Sequence, residues 1–519
     1  MNVSSLILSK NKNKQDAIAL KIDEKSYSYG ELFDKAFYFA EVLRDLEALN
    51  ETIGLVGQRN FSSYAGLLGI LISGNNFTSI NPKNNESKIN FIISESNIRI
   101  LIGDSEDILS LGEKILSRVA FKVSDEKISS FSKQSNNINL NIKSDSRNIT
   151  LPKITENLDL AYINYTSGST GNPKGVKVSH KNIRSFLETM SIYYPLQGEF
   201  NASQTFDFSF DPSVSDVLFT WLKSGKLCVL PEKEMLIPSD FIIREKINFW
   251  NSVPSIANFM IKTGNLKPNM FPDLTHSMFC GEQFSTNIAK EWRLAAPNSS
   301  IENLYGPTEG TIYISRYIYS KEDEKLNYKN NIVPIGKPFE NHDCAILNSS
   351  DNKIYEKEKV GEIAFTGPQI TQGYLNDKKK TDSVFVKFNW DKKNRTWYKT
   401  GDLGFFNSSE NIECVGRKDS QIKIAGRRIE IGEIEFVLSS FSKLKNSVVV
   451  PVRDSQNIVI GTVAFIMEEI SSEEILIIRK ESETKLDNVF FPKKIIFIER
   501  FPLSKSGKVD RKKLEFLAT

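Results

Sequence analysis

Short β-rich runs alternate with amphipathic, helix-like segments along most of the chain. The clearest examples are Ile53–Val56, Ile98–Ile102, Lys226–Leu230 and Ser447–Val452 for strands, and Tyr29–Leu46, Asn182–Tyr193 and Thr286–Ala296 for helices. This alternation is typical of α/β proteins. With 519 residues, of which 40% are hydrophobic, the chain is long enough for several domains, since one domain takes about 150 residues.

The clearest domain boundary lies near Asp419. Glycine-rich, strand-like pieces in Gly401–Gly416 close a long segment, and Gln421–Leu438 opens a compact region with its own strand and helix patterns. We therefore predict a large domain at 1–418 and a small one at 419–519. The polar interval Ser124–Asn148 is predicted to be a loop or an insertion, because it is rich in Ser, Asn and Lys.

Charge and cysteine usage exclude several classes of function. The net charge is only +3, which gives no electrostatic basis for binding nucleic acid or membranes. The longest apolar stretch, Ala65–Ile72, is too short to span a bilayer, and the first residues lack the apolar core of a signal peptide. Four dispersed cysteines and three histidines give little support for a zinc or haem site. A cytoplasmic location is the default expectation.

A segment rich in glycine and hydroxyl groups follows an apolar, strand-like run. Tyr165–Gly175 reads YTSGSTGNPKG, directly after Leu160–Ile163. Glycines let backbone amides approach an anion, hydroxyl groups add donors, and Lys174 supplies positive charge. The order of residues is not that of a Walker A loop. Composition alone fits a polyphosphate loop and a polar surface turn equally well.

The string itself resembles the signature of the adenylate-forming (ANL) superfamily, which holds acyl-CoA synthetases, luciferases and the adenylation domains of nonribosomal peptide synthesis. Further motifs of that family follow in its order along nearly the whole chain. They are Ser28–Leu32 (SYGEL), Leu71–Pro82 (LISGNNFTSINP), Asn303–Glu309 (NLYGPTE), Gly361–Leu375 (GEIAFTGPQITQGYL), Tyr398–Asp402 (YKTGD), Gly416–Glu435 (GRKDSQIKIAGRRIEIGEIE) and Ser506–Arg511 (SGKVDR).

The resemblance implies a fold and a set of nucleotide-binding residues. The fold would be a large N-terminal domain with two α/β sheets and a β-barrel, and a small mobile α+β domain hinged at Asp419. ATP and Mg²⁺ are the implied cofactors, with Lys508 and Thr166 acting on the phosphates and Glu309 holding the metal. The implied nucleotide-binding residues are Thr166, Ser167, Gly168, Ser169, Thr170, Gly171, Lys174, Gly281, Glu282, Asn303, Tyr305, Gly306, Thr308, Asp402, Arg417 and Lys508.

The segment Phe210–Ser213 matches the FDxS motif of the family, in which amino-acid-activating members pair the Asp with the substrate ammonium group. Two unit charges about 4 Å apart attract by about 4 kcal/mol at an effective dielectric constant near 20. Phe206–Ser209 also fits FDxS, but Asp211 is preferred because the residues after it continue the family pattern. The side-chain pocket carried over by motif comprises Pro212, Ser215, Asn251, Met278, Cys280, Leu304, Ile312 and Tyr313.

Different motifs of this sequence resemble two different branches of the family. Met278–Glu282 (MFCGE) is similar to D-alanine:D-alanyl carrier protein ligases, whereas the IAGRRIEIGEIE stretch is closer to peptide-synthetase adenylation domains. Gln372 and Leu486–Pro492 depart from the usual family residues. The expected reaction is adenylation of a small amino acid, with D-alanine as the leading substrate.

The chain stops shortly after SGKVDR, so the acceptor thiol is expected on a separate carrier protein, bound in trans. Two alternatives are an acyl- or aryl-CoA ligase of the same superfamily and a non-catalytic nucleotide-binding partner protein. The sequence leaves open the chirality of the substrate, the identity of the carrier and the oligomeric state.

Overall fold

The structure is a computed structural model. It describes residues 3–57, 59–124, 128–130, 160–166, 173–196, 200–326, 328, 331–418, 421–424, 426–454, 458–483, 485–503 and 509–518. Within this part of the chain the α-helices are α1 (Val3–Asn11), α2 (Tyr29–Asp45), α3 (Phe61–Ile72), α4 (Glu86–Glu95), α5 (Ser105–Leu109), α6 (Glu113–Leu116), α7 (His180–Tyr193), α8 (Pro212–Leu222), α9 (Ser239–Arg244), α10 (Pro254–Lys262), α11 (Thr286–Ala295), α12 (Lys378–Val384), α13 (Ile431–Leu438), α14 (Ser472–Ser482) and α15 (Arg511–Ala518).

The strands alternate with these helices, as the sequence predicts. They are β1 (Ile18–Ile22), β2 (Lys25–Ser28), β3 (Thr52–Val56), β4 (Asn76–Ile80), β5 (Ile100–Gly103), β6 (Phe121–Val123), β7 (Ile128–Ser130), β8 (Leu160–Thr166), β9 (Lys174–Ser179), β10 (Asn201–Gln204), β11 (Lys226–Val229), β12 (Phe249–Ser252), β13 (His276–Cys280), β14 (Ser300–Tyr305), β15 (Ser315–Tyr319), β16 (Lys337–Pro338), β17 (Asp343–Leu347), β18 (Lys353–Ile354), β19 (Gly361–Thr366), β20 (Phe385–Val386), β21 (Trp397–Phe406), β22 (Ile412–Arg417), β23 (Gln421–Ile424), β24 (Arg427–Glu430), β25 (Val448–Arg453), β26 (Val459–Ile466) and β27 (Lys494–Phe497).

Two large sheets carry most of the N-terminal part. The first has nine strands in the order β16-β15-β14-β13-β12-β10-β11-β1-β2, and the second has seven in the order β7-β6-β5-β3-β4-β8-β9. The inner strands of both sheets pair in parallel and the edges are antiparallel. Parallel strands need crossover connections, which the helices between them provide. The fold class predicted from the sequence, α/β with several sheets, is confirmed.

Three smaller sheets follow along the chain. Strands β17–β22 form a six-stranded antiparallel sheet, in the region where the resemblance implies a β-barrel. Strands β23 and β24 form a hairpin, and β25, β26 and β27 form a three-stranded sheet. These last two sheets belong to the C-terminal part of the chain.

The N-terminal and C-terminal parts have largely different hydrophobic clusters, although Ile458 of the C-terminal part belongs to the large N-terminal one. One cluster joins the two large sheets and includes the fully buried Trp221, Trp250 and Trp292. Another contains Ile434 and Val449 together with residues of β23, β24 and α14. The predicted division lies at residue 419. That residue and the next lie outside the described part, so the boundaries 1–418 and 419–519 stay a prediction.

Local sequence signals account for where helices begin. Ser28 and Glu31 form a reciprocal capping box at the start of α2, and such a cap stabilises a helix by about 1 kcal/mol. This gives a physical reason for the SYGEL motif. In the part of the chain that the structure describes, no helix is both long and apolar enough to cross a membrane. The predicted loop Ser124–Asn148 lies almost entirely outside that part.

Candidate active site

The two ends of the glycine- and hydroxyl-rich segment are held together by an antiparallel pair. Strand β8 pairs with β9 so that Thr166 lies opposite Lys174. Burial lowers the pKa of Lys174, and the nearby cations Lys380 and Arg428 act in the same direction. Residues 167–172 lie outside the described part, so the predicted roles of Ser167, Gly168, Ser169, Thr170 and Gly171 stay predictions.

One cavity brings several of the predicted nucleotide-binding residues together with the predicted substrate residue Asp211. Its walls come from the end of β8, from the loop before α8, from the segment after β14 and from the pair β21–β22. Its lining includes Asn164, Thr166, Asp211, Tyr305, Gly306, Thr308, Asp402 and Arg417. The C-terminal part closes the other side with Lys423, Gly426, Arg427, Arg428, Glu433, Asp487 and Phe490.

Asp211 is buried at the start of α8, with 3% of its surface exposed. Burial, assisted by the charge of Glu309, raises the pKa of its carboxyl group to about 7, although the Thr308 hydroxyl opposes that rise. Its Oδ2 atom has no hydrogen-bond partner within the described residues. A buried carboxylate oxygen without a partner is costly, so this atom is prepared to accept a cationic group.

The competing FDxS aspartate has a different environment. Asp207 accepts hydrogen bonds from the side chain of Asn81 and the backbone of Ser209, both at 2.8 Å. It therefore serves to fix the loop that leads into α8. This contrast supports the preference for Asp211 as the residue that faces the substrate.

A strained turn helps to form the wall beside Asp211. Thr311 and Ile312 have φ angles of 58° and 70°, which is rare for β-branched residues. The turn packs so closely on Gly306 that a Cβ atom there would lie 2.2 Å from the Ile312 carbonyl oxygen. The backbone N–H of Ile312 is thereby directed to the Asp211 carboxyl group, whose pKa it lowers against the larger effect of burial.

Glu309 lies in the short helical turn Thr308–Gly310 and is 2% exposed. Its Oε1 atom accepts a hydrogen bond from the Tyr374 hydroxyl at 2.7 Å, whereas Oε2 has no partner within the described residues. A buried carboxylate oxygen that is free to bind a hard cation fits the chemistry of Mg²⁺, which prefers few protein oxygens together with phosphate oxygens. The predicted metal ligand is therefore suitable in this respect.

Tyr305, Asp402 and Arg417 form a hydrogen-bonded group. The Tyr305 hydroxyl donates to one oxygen of Asp402, and Arg417 donates to the other at 2.7 Å. Register pairing of β21 with β22 sets Asp402 opposite Arg417. Asn303, nearby on β14, donates its side-chain amide to the carbonyl groups of residues 333 and 334, each at 3.0 Å. The group combines a flat ring with an acceptor carboxylate, as the predicted adenosine site requires.

The β23–β24 hairpin reaches the cavity from the C-terminal part. Glu282 accepts hydrogen bonds from the backbone N–H groups of Gly426, at 2.7 Å, and of Ser255, at 3.0 Å. Gly426 has a φ of 76°, and a Cβ atom there would lie 2.5 Å from Val253. Only glycine therefore fits at this hairpin tip. The resemblance implied a nucleotide role for the Gly281–Glu282 backbone, and the structure adds a docking role for the Glu282 side chain.

A second contact between the two parts lies further from the cavity. Asp454, which follows β25, accepts hydrogen bonds from Lys262 at 2.7 Å and from Asn258 at 3.1 Å. Lys262 and Asn258 both lie on α10. The C-terminal part thus contacts the N-terminal part at both of these places: Asp454 bonds to α10, and Gly426 bonds to Glu282.

Four of the eight residues predicted to line the side-chain pocket lie on neighbouring parallel strands, and none of the eight lines the cavity described above. Asn251 pairs with Met278 across β12 and β13, and Cys280 pairs with Leu304 across β13 and β14. The predicted pocket residues Pro212, Ser215, Asn251, Met278, Cys280, Leu304, Ile312 and Tyr313 are all buried. Burial raises the pKa of the Cys280 thiol well above its usual range, which suits a neutral wall residue rather than a nucleophile.

Several residues near the cavity have no place in the sequence prediction. Tyr374 donates a hydrogen bond to Glu309, and Asp216 accepts one from Asn251. The hairpin cations Lys423 and Arg428 both interact electrostatically with the Asp402 carboxylate. Arg428 also interacts in this way with Glu309. The two cations lie inside the Gly416–Glu435 motif, which could have indicated them. Lys508 and Asp419 lie outside the described residues, so their catalytic and hinge roles stay predictions.

Comparisons with known proteins agree with this geometry. The family model described as AMP-binding enzyme matches residues 8–375. A D-alanine–D-alanyl carrier protein ligase of Bacillus licheniformis is 32% identical over 366 residues, covering 69% of this chain and 71% of the relative. Zwittermicin A synthase ZmaJ of Bacillus cereus is 29% identical over 516 residues, covering 97% of this chain and 93% of the relative.

Solved structures give the same result for the fold. The Vibrio cholerae adenylation domain AlmE, in complex with glycyl-adenosine-5′-phosphate, has a TM-score of 0.86 and 25% identity, and the match covers 99% of this chain and 97% of that one. The o-succinylbenzoate-CoA synthetase MenE of Bacillus subtilis has a TM-score of 0.78 at 19% identity, covering 98% and 97% of the two chains. The predicted family is confirmed: the chain belongs to the AMP-binding enzymes of the adenylate-forming (ANL) superfamily and is an adenylate-forming ligase.

Proposed function

We propose that this enzyme uses ATP to convert a small amino acid to an aminoacyl-AMP, releasing pyrophosphate, with D-alanine as the leading substrate. The observation that carries the proposal is the buried Asp211 carboxyl group, whose Oδ2 atom has no partner among the described residues and whose side chain lines the same cavity as Tyr305 and Asp402. An ammonium group about 4 Å away gains about 4 kcal/mol at an effective dielectric constant near 20. Acids without an amine would leave that carboxylate unpaired.

In the adenylation step, an oxygen of the amino-acid carboxylate forms a bond to the α-phosphorus. The bond from that phosphorus to the bridging oxygen breaks, and pyrophosphate leaves. Catalysis of this step consists mainly of positioning and charge stabilisation. Bound Mg²⁺, with Glu309 as its protein ligand, would supply positive charge to the phosphate oxygens. Thr166 and Thr308 are assigned to phosphate placement, and Lys508 to the bridge between carboxylate and α-phosphate.

Size selection follows from the walls of the pocket. Met278, Leu304 and Tyr313, which are assigned to the pocket by motif, are bulky and at most 1% exposed, so a pocket with these walls would be small. Among the relatives, one acts on D-alanine by its name and one structure holds a glycyl adenylate. Both substrates are small, which supports D-alanine as the first candidate and glycine as its competitor.

For the second step we assign transfer of the aminoacyl group to the phosphopantetheine thiol of a separate carrier protein. The thiol sulfur would attack the carbonyl carbon of the adenylate, its proton would be lost, and AMP would leave. The β23–β24 hairpin, which lines the cavity in this structure, would form one wall of the path for the thiol. The carrier role is supported by the relative named as a D-alanine–D-alanyl carrier protein ligase.

An acyl- or aryl-CoA ligase is the second candidate, favoured by the similar fold of MenE. At 19% identity that likeness concerns the fold alone. An acyl or aryl acid would bring no cation to Asp211, and burial of an unpaired carboxylate costs several kcal/mol, on the order of 3–5. The proposal of an amino-acid substrate explains the buried carboxyl group, whereas an acyl or aryl substrate does not.

The test is ATP–pyrophosphate exchange with purified enzyme, Mg²⁺ and a panel of acids. We expect exchange with D-alanine or glycine and none with acetate, propionate or benzoate. Asp211→Asn should lose amino-acid-dependent exchange by about 1,000-fold, since an ion pair of about 4 kcal/mol is removed. Exchange with the simple acids, unaffected by Asp211→Asn, would contradict the proposal and favour the CoA ligase.

A further inference from the structure

A buried carboxylic acid bonds to one of the residues predicted to line the substrate pocket, but is not itself in that predicted set. Asp216 is on α8, one turn after Asp211 and Pro212, and is 5% exposed. Burial raises the pKa of its carboxyl group well above the usual range. A group of this kind is normally paired, and its partners show what it acts on.

The partner of Asp216 is a pocket residue. The Asn251 side-chain amide donates to Asp216 Oδ1 at 2.7 Å and to the Tyr313 hydroxyl at 2.9 Å. The Cys280 sulfur lies 3.4 Å from the same hydroxyl and 3.9 Å from Asn251 Oδ1. A hydrogen-bonded chain therefore runs from Asp216 through Asn251 to Tyr313 and Cys280.

The backbones of Asn251 and Tyr313 are held by hydrogen bonds of their own. The Asn251 backbone N–H donates to the Ser203 hydroxyl at 3.0 Å, and its carbonyl accepts from Thr205 at 2.7 Å. The Tyr313 carbonyl accepts from Gln369 at 2.7 Å. Both backbones are thus held by hydrogen bonds. The side-chain torsions that remain to be fixed are those of the Asn251 amide and of the Tyr313 ring. The hydrogen bond to Asp216 restrains the Asn251 amide, and the hydrogen bond from Asn251 restrains the Tyr313 ring.

We propose that Asp216 is a positioning residue that orients Asn251, and through it the Tyr313 ring, so that the ring limits the size of the side chain the enzyme accepts. The reason is geometric: Tyr313 directly follows Ile312, whose N–H bonds to the Asp211 carboxyl group, and the Cys280 sulfur lies 3.4 Å from the Tyr313 hydroxyl. The chain of contacts therefore borders the place where a substrate Cβ would lie. This inference rests on the proposed function, because it concerns the same pocket.

The test compares kcat/KM for glycine, D-alanine and the larger D-norvaline in amino-acid-dependent pyrophosphate exchange. Asp216→Ala should reduce the preference for the small substrates over norvaline roughly tenfold or more, as expected for the loss of a size-limiting wall, while the KM for ATP stays the same. Asp216→Asn, whose amide oxygen still accepts from Asn251, should keep the preference within about threefold. An unchanged preference in a folded Asp216→Ala protein overturns the inference.

Tyr313→Phe provides a second and independent variant. It removes the hydroxyl group that Asn251 holds and leaves Asp216 in place, so it should relax the preference to the same degree. The double variant should relax it no further, because both changes break one chain of contacts. If Asp216→Ala does not fold, an unchanged preference in Tyr313→Phe still overturns the inference. Absence of exchange in the wild type would instead contradict the proposed function.

Discussion

Replacement of Asp211 by Asn should change the pH dependence of stability as well as activity. Burial raises the pKa of this carboxyl group from 3.8 to about 7 in the folded enzyme. As the pH rises, Asp211 therefore loses its proton at a lower pH in the unfolded chain than in the folded enzyme. Between the two pKa values the wild type loses stability as the pH rises, because the folded chain binds more protons than the unfolded chain.

The size of the effect follows from the same two pKa values. A difference of one pH unit corresponds to 1.36 kcal/mol, so the rise to about 7 corresponds to about 4 kcal/mol. Asp211→Asn removes the ionisation but keeps nearly the same shape. Relative to the wild type, the variant should gain nothing below pH 4 and about 4 kcal/mol of unfolding free energy above pH 7.

The assay is denaturant-induced unfolding of both proteins from pH 4 to pH 9, without substrate. Because the two chains differ in one carboxyl group, the difference between their unfolding free energies isolates Asp211. We expect that difference to increase with pH and to level off above pH 7. Parallel pH profiles for the two proteins would refute the conclusion that burial raises the pKa of Asp211 in the free enzyme.

Substrate binding should lower the pKa of Asp211. The ammonium group of the amino acid favours the ionised carboxylate, so binding below pH 7 should release a proton from Asp211. Calorimetry at pH 6 in two buffers of different ionisation enthalpy measures this release directly. We expect close to one proton released by the wild type and none by Asp211→Asn. Equal heats in both buffers for the wild type would contradict the ion pair.

Three further predictions concern the metal, the lysine and the docking of the C-terminal part. Glu309→Gln keeps an acceptor for Tyr374 but loses the charge that binds Mg²⁺, so exchange should fall by about 100-fold and recover partly at high Mg²⁺ in a metal titration. Lys508→Ala should lower exchange by about 100-fold or more yet still transfer the aminoacyl group from added aminoacyl-AMP, as single-turnover loading of a carrier would show. Lys262→Ala removes the ion pair with Asp454, so carrier loading should slow several-fold while exchange is unchanged. Equal effects on both steps would show that the contact does not serve docking.

Most of the architecture and much of the site could be predicted from the sequence, because the signals are local. Alternating hydrophobic periods indicated the α/β fold, and the Ser28 cap lies inside a motif that was recognised. Asp211 could be chosen over Asp207 because the residues that follow it continue the family pattern. The structure adds the physical reason, since Asp207 is held by Asn81 whereas Asp211 Oδ2 has no partner among the described residues.

The remaining features depend on contacts between distant segments. Asp216, Asn251 and Tyr313 are separated by up to 62 residues along the hydrogen bonds that join them, and no local pattern indicates that chain of contacts. The docking of Gly426 against Glu282 spans 144 residues. Such contacts arise from the crossing of strands and the packing of two cores, so they require the three-dimensional structure.

The most direct test of the central claim is the identity of the adenylate that the enzyme makes. Purified enzyme, Mg²⁺ and ATP are incubated with an equimolar pool of amino acids and simple carboxylic acids, and the acyl-AMP products are identified by mass spectrometry. We predict a single dominant aminoacyl-AMP whose side chain is no larger than a methyl group. An adenylate of an acid without an amine, or of a bulky amino acid, would contradict it.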